Sequence, residues 1–248
     1  MKKFLKVASI VLVIAMIACF AACGGNGGEK EKLTMATNAE FPPYEYVEGD
    51  KIVGIDAEIA ALIADKLGME LEIVDVAFDS IIPGVQSGKY DMGMAGLTVN
   101  EERLEKVNFS TSYATGIQAV IVKEGSDIKS IDDLAGKKIG VQTSTTGDIY
   151  AGDIADATIE RYNKGFEAVQ ALTQGKIDAV IIDNEPAKVF VAENEGTKIL
   201  EEDFAVEEYA MAIAKENTEL LEKVNVALAE LTEDGTLKAI VDKYISAE

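Results

Sequence analysis

"FDSIIPGVQSGKYDMGMAG" (78–96) and "FEAVQALTQGKIDAVIID" (166–183) share one grammar: an apolar helical run, a glycine-lysine turn, then a strand. Placing Gly88, Lys89 and Asp91 over Gly175, Lys176 and Asp178 brings Gly96 and Asp183 to equivalent positions, each eight residues past its glycine. Helices alternating with strands indicate α/β architecture with parallel sheets. In open sheets of this kind ligands bind beyond the carboxyl ends of the strands, which is where Gly96 and Asp183 fall. Two such units suggest two lobes facing one another across a cleft, although so short an echo leaves duplication and chance similarity both open.

The same alternation extends outward. "LTMAT" (33–37) reads as a strand, and in the turn-rich segment after it Pro42 and Pro43 are expected to prevent regular pairing. Ile55, Ile59, Leu62, Ile63 and Leu67 recur at helical spacing up to Gly68, and "MELEIVDV" (69–76) alternates as a strand. Ser80 can cap a helix with Pro83 in its first turn, and "YDMGMAG" (90–96) reads as a buried strand. From "KKIGVQT" (137–143) onward the pattern repeats: a helix after "STTGD", the strand "TIERY", the helix "FEAVQALTQ", the strand "IDAVII" and a helix from Asn184. The tail departs from it, because the strand-like "EEYAMAIAK" (207–215) leads into two capped helices, which are expected to pack back on an earlier part of the chain.

Composition excludes several function classes. The 44 acidic residues outnumber the 23 basic ones, for a formal charge of −21, and nucleic-acid binding needs a positive patch instead. With no histidine, histidine-based triads, histidine general bases and the commonest metal ligand are all unavailable, so no cofactor or metal is expected. Lys2, Lys3 and Lys6 precede the apolar run "VASIVLVIAMIACFAA" (7–22), which at 16 residues is short for a membrane span. The stretch "CFAAC", followed by "GGNGG", resembles a bacterial lipobox, which implies cleavage after residue 22 and lipidation of Cys23, with Phe20 where an aliphatic residue is usual. Removing three lysines and no acid would take the charge from −21 to −24 and leave Cys23 as the one cysteine, so no internal disulfide is expected.

"MAGLTVNEER" (94–103) holds Arg103, one of two arginines in the chain, just inside a helix that Thr98 or Asn100 can cap. The positive end of a helix dipole disfavours a cation there. Arginine offers a planar fork for a carboxylate, which lysine does not. The residues alone leave two readings open, a solvated arginine beside Glu101 and Glu102 or an anion clamp in a cleft.

Collinear motifs then point to a family. "ATNAEFPPYEY", "GIDAEIAALIADKLG", "FDSIIPGVQSGKYDMGMAGLTVNEERLEKVNFS", "DLAGKKIGVQTSTTGD", "IDAVIIDNEPA", "EEYAMAIAKEN" and "DGTLKAIVDKY" together resemble the extracytoplasmic solute-binding proteins of polar amino-acid ABC transporters, of the type II periplasmic-binding-protein fold. The resemblance implies an α/β fold of two lobes, each a mostly parallel sheet flanked by helices. The signal would occupy 1–22 and a linker 23–32; lobe 1 would comprise 33–113 and 212–248, lobe 2 118–207, with hinges at 113–117 and 207–211. It also implies roles. Arg103 would clamp the ligand α-carboxylate with backbone N–H groups of Thr98 and Thr146; Asp183 would take the α-ammonium with the Gly96 carbonyl and the Thr98 hydroxyl. Phe41 and Phe78 would sandwich the side chain, and Asn38 and Gln142 would read it.

Each position also has a plainer reading: Phe41 and Phe78 as core aromatics, Asp183 as the cap of the helix from Asn184, and Thr145, Thr146 and Gly147 as an ordinary helix start. Asn38 stands where relatives that read glutamine or cationic side chains often carry aspartate, which argues against a cationic ligand, but Glu40 and Glu45 lie close by and "QTSTTGD" with Gln142 is similar to arginine-binding members. The ligand is expected to be polar or basic, arginine first, with lysine, glutamine and cystine as alternatives. A monomer, anchored outside the cytoplasm and handing a free L-amino acid to an ABC permease, is the expectation. A cleft dehydratase on the same fold, or the binding module of a sensory system, are the alternatives; the former lacks a dedicated acid-base pair.

Overall fold

The computed structural model describes residues 30–245. The proposed signal segment and Cys23 lie outside them. Among the described residues no helix is long and apolar enough to cross a membrane, and no group of three or more His, Cys, Asp or Glu side chains could hold a metal ion.

The chain opens with β1 (Lys32–Thr37), a small three-stranded sheet of β2 (Glu40–Phe41), β3 (Glu45–Glu48) and β4 (Lys51–Val53), then α1 (Ile55–Leu67) and β5 (Glu70–Asp75). Pro42 and Pro43 were expected to keep this segment irregular; instead they occupy the turn between β2 and β3, outside the ladder, where a missing N–H costs no sheet bond. Helix α2 (Ile81–Gln86) and the two-residue β6 (Met92–Gly93) follow, so only Met92 and Gly93 of "YDMGMAG" are strand, with bends on either side. Ser80 makes no capping bond, because a 3-10 turn over Phe78–Ser80 leads into α2. The unit closes with α3 (Glu101–Lys106) and β7 (Val107–Phe109).

The second unit contains β8 (Ala114–Lys123), β9 (Lys138–Gln142), α4 (Thr146–Gly152), β10 (Thr158–Tyr162), α5 (Gly165–Thr173), β11 (Ala179–Asp183), α6 (Asn184–Glu193), β12 (Thr197–Ile199) and β13 (Ala205–Tyr209). The chain then enters β14 (Ala212–Ala214), α7 (Thr218–Glu233) and α8 (Thr236–Tyr244).

Two mixed sheets result, one per lobe. The first has the order β5-β1-β6-β14-β7, the second β10-β9-β11-β8-β12 with β13 also on β8. The pairs expected from strand-helix alternation, β1 with β5 and β6, and β9 with β10 and β11, are parallel. Strands β8, β12, β13 and β14 pair antiparallel and make each sheet mixed rather than mostly parallel.

Both sheets have apolar layers on both faces. All five residues of β11 are buried, as in a strand covered on both sides, with Val180 and Ile182 facing α5 and α6 and Ile181 facing the layer of Ile139, Val141 and Ala151. On the first sheet, Leu33, Met35 and Ile213 join Ile59 and Ile63 of α1 with Val224, Leu228 and Leu231 of α7. The tail helices thus cover the first sheet, and "EEYAMAIAK" is two strands in two sheets. Residues 114–118 and 205–209 run side by side as an antiparallel pair. Gly116 is required there, since a Cβ would stand 2.3 Å from the Tyr209 ring.

Candidate functional site

Eight of the nine ligand residues expected from sequence line one narrow pocket where the lobes meet: Asn38, Phe41, Phe78, Gly96, Arg103, Gln142, Thr146 and Asp183. Thr98 is buried but does not line it; its hydroxyl donates to Glu207 Oε2 (3.0 Å) and its carbonyl accepts from Arg103 Nη1 (2.8 Å).

Arg103 is 7% exposed, which removes the solvated-surface reading. Asn100 caps α3, its side chain accepting the Arg103 N–H (2.8 Å). The guanidinium lies 5.4 Å from the Phe78 ring centre, and its Nη2 donates across the cleft to the Ser144 carbonyl (3.2 Å). Ser144 adopts a left-handed φ of 65° and its N–H donates to Asp148 Oδ2 (3.1 Å). Arg161, the other arginine, pairs with that same carboxylate (2.9 Å), so it supports the loop that Arg103 reaches. Burial lowers the Arg103 pKa, opposed by the charges of Glu207 and Asp183.

Asp183 ends β11 and occupies the N-cap position of α6 without a side-chain capping bond. Its carboxylate instead accepts from the Tyr209 hydroxyl. Burial pushes its pKa up to about 7, with the Glu207 charge acting in the same direction and the Tyr209 hydrogen bond opposing it. Gly96 has a φ of 52°, and a Cβ there would stand 2.8 Å from the Phe41 ring, so this position needs glycine twice over. Its N–H donates to Asp56 Oδ2 (3.0 Å). Gln142 Nε2 donates across the cleft to Asn38 Oδ1 (2.9 Å), and Asn38 Nδ2 to the Val76 carbonyl (2.9 Å). Phe41 stacks on Tyr44, whose ring meets Tyr209 edge-on.

Sequence reasoning did not assign two acids that the fold brings here. Glu45 lines the pocket at 1% exposure. Burial and then the adjacent Asp56 hold its carboxyl well above the usual range, while burial brings Asp56 up to about 6. Neither Glu45 oxygen has an ordinary donor, nor does Asp56 Oδ1; a neutral Glu45 sharing its proton with Asp56 pairs one oxygen of each, as like charges this close favour. The second acid, Glu207, accepts from Thr98, Gln118, Thr146 and Tyr150. The sequence signal for Glu45 was its nearness to "EFPPY"; for Glu207 it was only the strand alternation of its segment.

Comparison with known proteins identifies the family. The family model of bacterial extracellular solute-binding proteins, family 3, matches residues 33–247. The arginine-binding extracellular protein of Bacillus subtilis is 33% identical over 254 residues, covering all of both chains. The L-cystine-binding protein of Escherichia coli K12 is 33% identical over 251 residues, 98% of this chain and 94% of that one. A solved structure of an ancestral arginine-binding protein bound to arginine is 42% identical, with a TM-score of 0.84 over 88% of this chain and 99% of that chain. The chain therefore belongs to the bacterial extracellular solute-binding proteins of family 3, with the type II periplasmic-binding-protein fold, and is a binding protein rather than an enzyme.

Proposed function

We propose that this protein captures one free L-amino acid between its lobes and presents it to an ABC permease. One observation carries the reading: Arg103 from the first lobe and Asp183 from the second line a single buried pocket with Phe41 and Phe78. Arg103 takes the α-carboxylate through its planar fork and Asp183 the α-ammonium, so only a zwitterion answers both lobes at once. The Gly96 carbonyl adds an acceptor for the ammonium. Lobe 1 consists of 33–113 and 212–248 and lobe 2 of 118–207, and they rotate about 113–117 and 207–211.

A cationic side chain, arginine first, is supported by relatives named for arginine. Asn38 and Gln142, two amides in contact, favour a neutral polar side chain such as glutamine as the second reading. Cys23, lipidated, anchors the protein outside the cytoplasm, where it works as a monomer.

Titration calorimetry of the soluble form, begun after residue 23, against the twenty amino acids, cystine and ornithine tests this. Binding of arginine at micromolar or tighter affinity is expected; no binding by any of them refutes the proposal. Arg103→Ala should weaken binding by about 2 to 5 kcal/mol while the protein stays folded. Unchanged affinity in that variant refutes the clamp.

A further inference from the structure

Strand β13 alternates strictly: Val206 and Glu208 face solvent while Glu207 and Tyr209 face the site. Tyr209 holds Asp183. Glu207, 5% exposed, collects donors from three parts of the molecule. Its Oε2 accepts from Thr98 Oγ1, Thr146 Oγ1 and Gln118 Nε2, each at 3.0 Å, and its Oε1 accepts from the Tyr150 hydroxyl at 2.9 Å. Thr98 belongs to the first lobe, Thr146 and Tyr150 to α4 of the second, and Gln118 to the crossing strand β8.

We propose that Glu207 is a positioning residue that latches the lobes together over the ligand and fixes the hydroxyl directions of Thr98 and Thr146. Residing on a crossing strand, it can take donors from both lobes only when they meet, and opening strips it of the Thr146 and Tyr150 hydroxyls or of the Thr98 hydroxyl. A hydroxyl has one proton to donate. Once Thr146, which lines the pocket, gives its proton to Glu207, it presents lone pairs to the cleft, the polarity that suits a ligand ammonium and not a carboxylate. The carboxylate of the ligand is thereby left to Arg103. This inference rests on the amino-acid reading above and adds what holds the closed state.

Stopped-flow association and dissociation of L-arginine, with L-glutamine as second probe, test it in the wild type, Glu207→Gln and Tyr150→Phe, with unfolding midpoints measured without ligand. A carboxamide keeps the size of Glu207 but offers one acceptor oxygen where four donors converge. Dissociation should accelerate about tenfold in Glu207→Gln and about threefold in Tyr150→Phe, with association rates within about threefold of the wild type. Tyr150 is half-exposed, so its variant keeps the test decisive if Glu207→Gln fails to fold. Dissociation unchanged in a folded variant, or faster dissociation only in proportion to a lowered unfolding midpoint, overturns the latch while leaving the binding function intact. A wild type that binds neither probe overturns both.

Discussion

Two residues set the chemistry of the pocket through burial. Asp183 has a pKa near 7 because its charged form is desolvated, so the folded protein holds a proton that the unfolded chain releases near pH 4. Its contribution to stability therefore falls as pH rises from about 4 to about 7 and is level above that. A ligand ammonium reverses the balance by favouring the carboxylate, and binding expels the proton. Affinity should drop by up to about tenfold per pH unit as pH falls from 7 towards 5. Calorimetry across that range checks it, and Asp183→Asn should bind weakly with a flatter pH profile. Asp56 and Glu45 are shifted upward as well, so a residual slope in the Asn variant reports on that pair. Arg103 shows the complementary case: its residue type was legible from sequence, but its burial was not, because nothing local says that Ser144 and Phe78 will cover it.

At the scale of elements, short pieces of structure aim the binding groups. Helix α3 has six residues, too few for a large dipole, which lifts the objection to a cation near its start. Its Asn100 cap fixes the N–H of Arg103 itself. Asn100→Ala should cost about 1 kcal/mol of stability and also weaken ligand binding, since the cap and the clamp share a residue. Urea melts and calorimetry on the same preparation measure both, and intact affinity with lost stability would separate the two roles. The long helices and the buried strand β11 were legible from periodicity, because burial on one or both faces writes itself into the sequence. The strands β6, β13 and β14 were not delimited that way. Their ladders depend on partners far along the chain, as with Ala212 opposite Gly93 and Phe109, and no local pattern encodes a distant neighbour.

Across the whole molecule, Phe41 packs on the apolar core of the second lobe, and the other described contacts between lobes include polar ones: Gln142 with Asn38, Arg103 with Ser144, Lys164 with Glu40, and Glu207 with donors from both sides. Hydrogen bonds of this kind exchange readily with water and contribute modestly one by one, which suits the lobe opening proposed above. A ligand confined to the closed form stabilises it by mass action. At a concentration one hundred times Kd the gain is about 2.7 kcal/mol, or roughly 5 to 10 °C in the unfolding midpoint for a domain of this size. A thermal melt with arginine, glutamine and cystine in turn reads out the ligand, and a shift below about 1 °C for all three would contradict closure over any of them. By itself the sequence determined the strand-helix alternation and the absence of histidine chemistry, which follow from local spacing and composition, and its collinear motifs carried the family resemblance that implied the residue types at the site. Only the tertiary structure decided that Asp183 is a buried acid and not a helix cap, that Glu45 and Glu207 belong to the site, and that Thr98 turns its hydroxyl away from the pocket. Those outcomes depend on which groups lose water and which donors converge on them, and both are properties of the assembled lobes.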